Sequence, residues 1–223
     1  QQVSSAASDV YKRQKLLIAC LLCSCSFEQE DTINYEAEFY SIVTEFEESS
    51  ILNFERKNID EDRFIEQFIL KLDKQKNTFM QEDLKKFKDS SGNESKLDYQ
   101  LLKDVVDLYY SRYEESLKTR RYYLNNYDFN FNKTEEINLK PRGKFFESIA
   151  EKEDYQRKII KNELITLLLE DKDNLEAINE LKKVYRNRFS SISKIRESDK
   201  FGILANNFLS CLLYTSPSPR DTR

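Results

Sequence analysis

Three groups of side chains in this 223-residue chain have types and spacings that chemistry could use. Cys20, Cys23 and Cys25 lie within six positions, as a redox or zinc motif would require, but no second ligand pair follows them to complete a four-donor site. The stretch Tyr109-Tyr110-Ser111-Arg112-Tyr113 through Arg120-Arg121-Tyr122-Tyr123 offers rings that could stack on bases and cations that could meet phosphates. Serines and lysines are plentiful, and a serine can act as a nucleophile when a buried lysine of lowered pKa serves as its base.

Each group has a plainer reading. Tyr109, Tyr113 and Leu117 fall on one helical stripe, which suits packing with solvated cations alongside. No serine sits in a Gly-rich turn beside backbone donors, and the isolated Gly92, Gly143 and Gly202 cannot build a phosphate loop. Adjacent carboxylates such as Glu47-Glu48 and Glu135-Glu136 diverge on a helix and read as solvated faces. The chain has no His, so an imidazole base and a His metal ligand are both excluded within it. The residues by themselves show no active site and imply no cofactor.

The composition constrains what must position these residues. Charged residues make up 34% and hydrophobic residues 39%, with only three Gly, which points to a soluble helix-rich domain. Both ends read as translated sequencing adapters. Asp9 to Gln14 can be encoded by GAT GTG TAT AAG AGA CAG, and its reverse complement, read one base in, encodes Cys211-Leu212-Leu213-Tyr214-Thr215. Removing residues 1–14 and 211–223 takes away four cations and two anions, so the net charge of −4 becomes −6. An acidic interior argues against nucleic acid as the main partner.

Residues 15–26 form an apolar run led by Lys15 and closed by small residues, which resembles the end of a bacterial export signal. The run is shorter than the ~20 apolar residues that cross a bilayer. Leu22-Cys23-Ser24-Cys25 resembles a lipobox, which makes Cys25 a candidate for lipidation. Ordinary cleavage near Ser26, with the cysteines discarded, is the alternative. The expected location is periplasmic, with membrane contact only through such an anchor.

The region 27–210 reads as successive amphipathic helices. Phe39, Ile42, Val43 and Phe46 recur at helical spacing. Asn58-Ile59-Asp60-Glu61 has capping-box spacing ahead of Phe64, Ile65, Phe68, Ile69 and Leu72. Thr78-Phe79-Met80-Gln81 repeats the device before Leu84 and Phe87. A long helix is expected from about Leu97 to Asn126. Tyr127 to Asn132 alternates aromatic and polar residues, which suggests a short extended segment. Pro141-Arg142-Gly143 breaks the chain before a helix or helix pair from Phe145 to Leu169. Asp173-Asn174-Leu175-Glu176 caps the next helix, and a last one starts near Ser198. The expected fold is all-α, an irregular multi-helix bundle with at most one short β-hairpin.

The order of several segments resembles the N-terminal helical region of the bacterial tail-specific, or C-terminal processing, serine proteases. They are Leu72-Asp73-Lys74-Gln75 followed by Phe79, Asp83 and Phe87; Tyr127-Asp128-Phe129; Arg157 to Leu164; and Leu181-Lys182-Lys183-Val184-Tyr185 with Arg188. Lys74 stands where that family usually has Pro. The resemblance covers residues 33–210 and implies that Leu72, Asp73, Gln75 and Phe79 are structural, setting one helix against the next. It further implies an exported endopeptidase acting on the C-termini of protein substrates, with an adaptor protein as a candidate partner. Its PDZ domain and Ser/Lys protease domain would follow Asn207-Phe208-Leu209. No catalytic residue carries over, and the chain alone is expected to be inactive. A free-standing helical lipoprotein acting as a protein-binding module is the alternative.

Overall fold

The computed structural model describes residues 33–49, 59–89, 97–138 and 140–215. Cys25, the export-signal stretch and the Asn58 end of the proposed capping box lie outside the described residues. The chain divides into two units, Gln1–Glu38 and Phe39–Arg223. In the first, Asn34 Oδ1 accepts from Ala37 N (3.1 Å) and opens helix α1, Tyr35–Ser49.

In the second unit α1 is followed by α2 (Glu61–Leu72), α3 (Gln81–Asp89), α4 (Tyr99–Asn126), α5 (Ile149–Leu168), α6 (Asn174–Ile192) and α7 (Glu197–Thr215). The fold is an all-α multi-helix bundle. Short polar residues start these helices by accepting otherwise unpartnered N–H groups. Asp60 takes Arg63 N, Asp98 takes Gln100 N, Ser148 takes Glu151 N and Asp173 takes Glu176 N. The Asp173 cap is where the sequence places it. At α2 the side chain that caps is Asp60, two residues beyond Asn58. At α3 the cap runs the other way round. Met80 N donates to Asp83 Oδ2 (2.8 Å), and Thr78 serves the preceding turn.

The 28-residue α4 is the spine, about 42 Å long at 1.5 Å per residue. Its first half packs with α2 and α7, and its second half with α5 and α6. In the first region the buried rings of Phe39, Phe64 and Phe208 interlock, Phe208 meeting Phe39 edge-on at 4.8 Å and Phe64 at 5.3 Å. In the second, Leu117 and Leu124 of α4 meet Ile160 and Leu164 of α5 and Ala177, Leu181 and Tyr185 of α6. Arg112 contacts Lys152 and Arg120 contacts Gln156, so α4 and α5 run parallel. Lys118 and Arg121 lie over Phe189, whereas Arg120 reaches back to Tyr185, so α6 runs antiparallel to α4.

Parallel neighbours need a crossover, and residues 127–148 supply it. No strand forms among the described residues, and the extended segment at Tyr127 to Asn132 finds no partner strand. Phe129 is buried in the second core and Phe131 packs against it, so the alternation places aromatic rings on helices. A single bridge, Met80 with Phe146, joins the crossover to the turn before α3. Phe145 and Phe146 therefore precede α5, which begins at Ile149. Helix α7 continues through the buried Cys211 and Leu212, since the apolar run there prolongs the helix.

Candidate functional site

The turn between α2 and α3 is organised around one carboxylate. Asp73 is 3% exposed, and its N–H closes α2 on Ile69 O. Asp73 Oδ1 accepts from Asn77 N (3.0 Å), and Oδ2 accepts from Thr78 N and Phe79 N (2.9 Å each). Three backbone donors are thereby satisfied inside the protein, where leaving any one unpaired would cost about 1–3 kcal/mol. Lys76 takes a left-handed conformation, φ 53°, which a branched-at-Cβ residue would resist. Its ammonium donates to Gly143 O (2.7 Å). Gln75 O receives Arg142 N (3.1 Å), and Phe146 O receives Gln81 N (2.8 Å). The crossover thus clasps the turn at three points. Leu72 is half-buried at the end of α2. Phe79 is buried, its ring near Tyr109 (5.7 Å) and Phe145 (6.4 Å).

From this turn a seam of buried polar groups runs along α4. Asp83, 4% exposed, accepts both Arg112 Nη2 (2.8 Å) and Arg112 Nε (3.1 Å), a forked pair. The Arg112 carbonyl in turn accepts Ser116 Oγ (2.9 Å) and Lys152 Nζ (3.3 Å). Burial pushes the Lys152 ammonium down to about 8, with Glu115 opposing that shift. About two helical turns beyond Arg112, Arg120 donates to Gln156 Oε1 (2.6 Å) and to Tyr185 OH (3.2 Å). The Tyr185 hydroxyl donates to Glu163 Oε2 (2.5 Å). Burial raises the Tyr185 phenol to about 12.

Two cations of the aromatic stretch, Arg112 and Arg120, are therefore not solvated companions of a packing stripe, whereas Lys118 is mostly exposed. Arg112 and Arg120 point inward and hold the helices together. Tyr109 and Tyr113 do stack, with ring planes 3° apart at 6.4 Å, and Leu117 is buried, so that part of the stripe is packing. Glu135 also departs from the solvated-face reading, because it lies on the crossover and not on a helix. It accepts both Arg157 Nη2 (2.6 Å) and Lys161 Nζ (2.7 Å), and these bonds hold its carboxyl down at about 2. No local pattern signals these pairings, whose partners lie 22 to 65 positions apart.

The chemistry open to this arrangement is limited. Ser116 and Lys152 approach the same carbonyl, and a lysine of lowered pKa beside a serine is the pairing that His-free hydrolases use. Here Ser116 spends its hydroxyl on its own helix, and the two residues are only 3% and 7% exposed, so no substrate reaches them. Among the described residues no group of three or more Cys, His, Asp or Glu is placed to hold a metal. No described helix is long and apolar enough to cross a membrane.

The buried charges of this helical domain are engaged with its own backbone and with one another. Residues 42–212 match the family described as tail specific protease N-terminal domain, and the chain belongs to that family. A search among curated proteins found no match.

Proposed function

We propose that this chain is the N-terminal helical scaffold of a periplasmic tail-specific serine endopeptidase, which trims or degrades proteins from their C-termini. The observation that carries the reading is the family match across residues 42–212. The polar seam supports it, because its buried charged groups fix the helices of this domain against one another. On this reading the PDZ domain and the Ser/Lys protease domain come from the rest of the same chain, protein substrates pass to those parts, and an adaptor protein docks on the helices. Export leaves the protein in the periplasm, with Cys25 as the lipid attachment point if the lipobox is processed.

The purified chain, incubated with an unfolded protein substrate and followed by mass spectrometry, is expected to give no cleavage. Reproducible peptide-bond hydrolysis that co-purifies with the chain would overturn the scaffold reading.

A further inference from the structure

In an acidic protein, unpaired cations that converge on one spot need a reason. Arg121 of α4 and Lys182 and Arg186 of α6 line a cleft of about 80 Å³ with Leu124 and Asn125. None of the three cations has a carboxylate partner among the described residues, whereas Arg112, Arg120 and Arg157 on neighbouring turns are all engaged. Lys182 and Arg186 stand at i,i+4 on the same helix face, an arrangement of like charges that works against the helix. Arg121 is held in place, its guanidinium 4.9 Å from the centre of the Phe189 ring. The Asn125 amide donates to Arg121 O (2.9 Å), so it does not compete for the space. Leu124, 5% exposed, is the apolar floor. The Phe189 ring accounts for the placement of Arg121 but not for Lys182 and Arg186 beside it, and a bound anion would relieve their repulsion.

The lining narrows the choice of anion, because three cations around an apolar floor suit a carboxylate carried on methylene groups. Leu124 can meet the methylenes that carry a side-chain carboxylate, which a free inorganic anion lacks. We infer that this cleft between α4 and α6 binds a Glu or Asp side chain of an acidic polypeptide segment and gives the domain a second handhold on a protein partner. The choice of a polypeptide as the carrier rests on the scaffold reading, while the carboxylate site itself does not.

The test uses the full 223-residue chain and a fluorescein-labelled, C-terminally amidated peptide of alternating Glu and Ala, read by anisotropy at low salt. The Glu peptide is expected to bind and its Gln counterpart not to. Lys182→Gln with Arg186→Gln is expected to weaken binding about tenfold, the value of two lost partly exposed ion pairs. Lys74→Gln with Lys85→Gln removes the same charge at exposed positions far from the cleft in sequence, and is expected to change binding less than twofold. Equal weakening by the two double variants would reduce the effect to net charge and overturn the site. Tight binding of the Gln peptide, or full displacement by inorganic phosphate at matched concentration, would overturn the carboxylate specificity. Binding is measured without proteolysis, so failure here leaves the scaffold reading standing, and cleavage by the pure chain would leave the site standing.

Discussion

The two halves of α4 are buried against different kinds of surface. Its first half joins α2 and α7 around the rings of Phe39, Phe64 and Phe208, with Asn207 Nδ2 donating to Phe68 O (2.9 Å) and, at the partly exposed edge, Lys200 paired with Asp107 (2.7 Å). Its second half joins α5 and α6 through alternating layers, with Leu117, Leu124, Ile160 and Leu164 next to Arg112, Lys152, Arg120, Gln156 and Tyr185. Apolar contacts are non-directional and tolerate small rotations of one helix against another. Forked and charge-assisted hydrogen bonds do not, so the seam fixes the register of three helices that apolar packing alone leaves adjustable. The Asp73 turn sits where the two regimes meet, tied to both by the crossover.

If that contrast is right, the first region answers to volume and the second to charge. Phe208→Ala is expected to cost the most, about 3–5 kcal/mol, because it empties a fully buried site contacted by two other rings. A urea midpoint that barely moves would mean the ring is replaceable and the aromatic core does not hold α7. Arg112→Met is expected to cost about 3 kcal/mol, since it strands the Asp83 carboxylate in a buried site with Met80 N as its remaining partner. Adding Asp83→Leu should recover most of that loss by removing the stranded charge. If the double variant is as unstable as the single one, the pair is acting through shape and the contrast between the regions fails.

The apolar half was legible in the sequence. Phe64, Ile65, Phe68 and Ile69 recur at helical spacing and are all buried, and the end of α4 falls at Asn126 as the pattern indicates. Helical periodicity is a local property, and burial follows from it. The polar half was not legible, because Asp83 and Arg112 lie 29 positions apart and each looks like an ordinary surface residue of its own helix. A charged residue reads as solvated unless its partner is known, and the partner is set by how helices dock. The same reason hid Glu135, which local spacing places beside Glu136 and docking places beneath Arg157 and Lys161. The cap of α3 was misread for a different reason. Thr78 has the right type at the right offset, but its hydroxyl turns to Asn77 Oδ1 (3.2 Å) and α3 begins only at Gln81, so Thr78 stands too far upstream to cap it.

The charge-dependent half should also show a pH dependence of one sign in two windows, stability rising with pH in an alkaline window set by Lys152 and in an acid window set by Glu135. Lys152 has a folded value of about 8 against an ordinary 10.5, so between those limits the unfolded chain binds more protons and stability rises with pH. Measured as the difference between the parent and Lys152→Met, which cancels the tyrosines and Cys211, the gain is expected to reach about 2 kcal/mol by pH 10. Glu135 has a folded value of about 2 against an ordinary 4.5, held there first by Arg157 and then by Lys161. Its contribution is complete above pH 4.5 and is lost as pH falls towards 2. With solvent screening of the ion pairs allowed for, the loss is about 1 kcal/mol, and Glu135→Gln should abolish it. Phe208→Ala should leave both slopes unchanged, because the rings it meets, Phe39 and Phe64, do not titrate. A Phe208→Ala protein that lost the alkaline slope would show that the two regions are coupled through α4, and that the spine transmits packing from one core to the charges of the other.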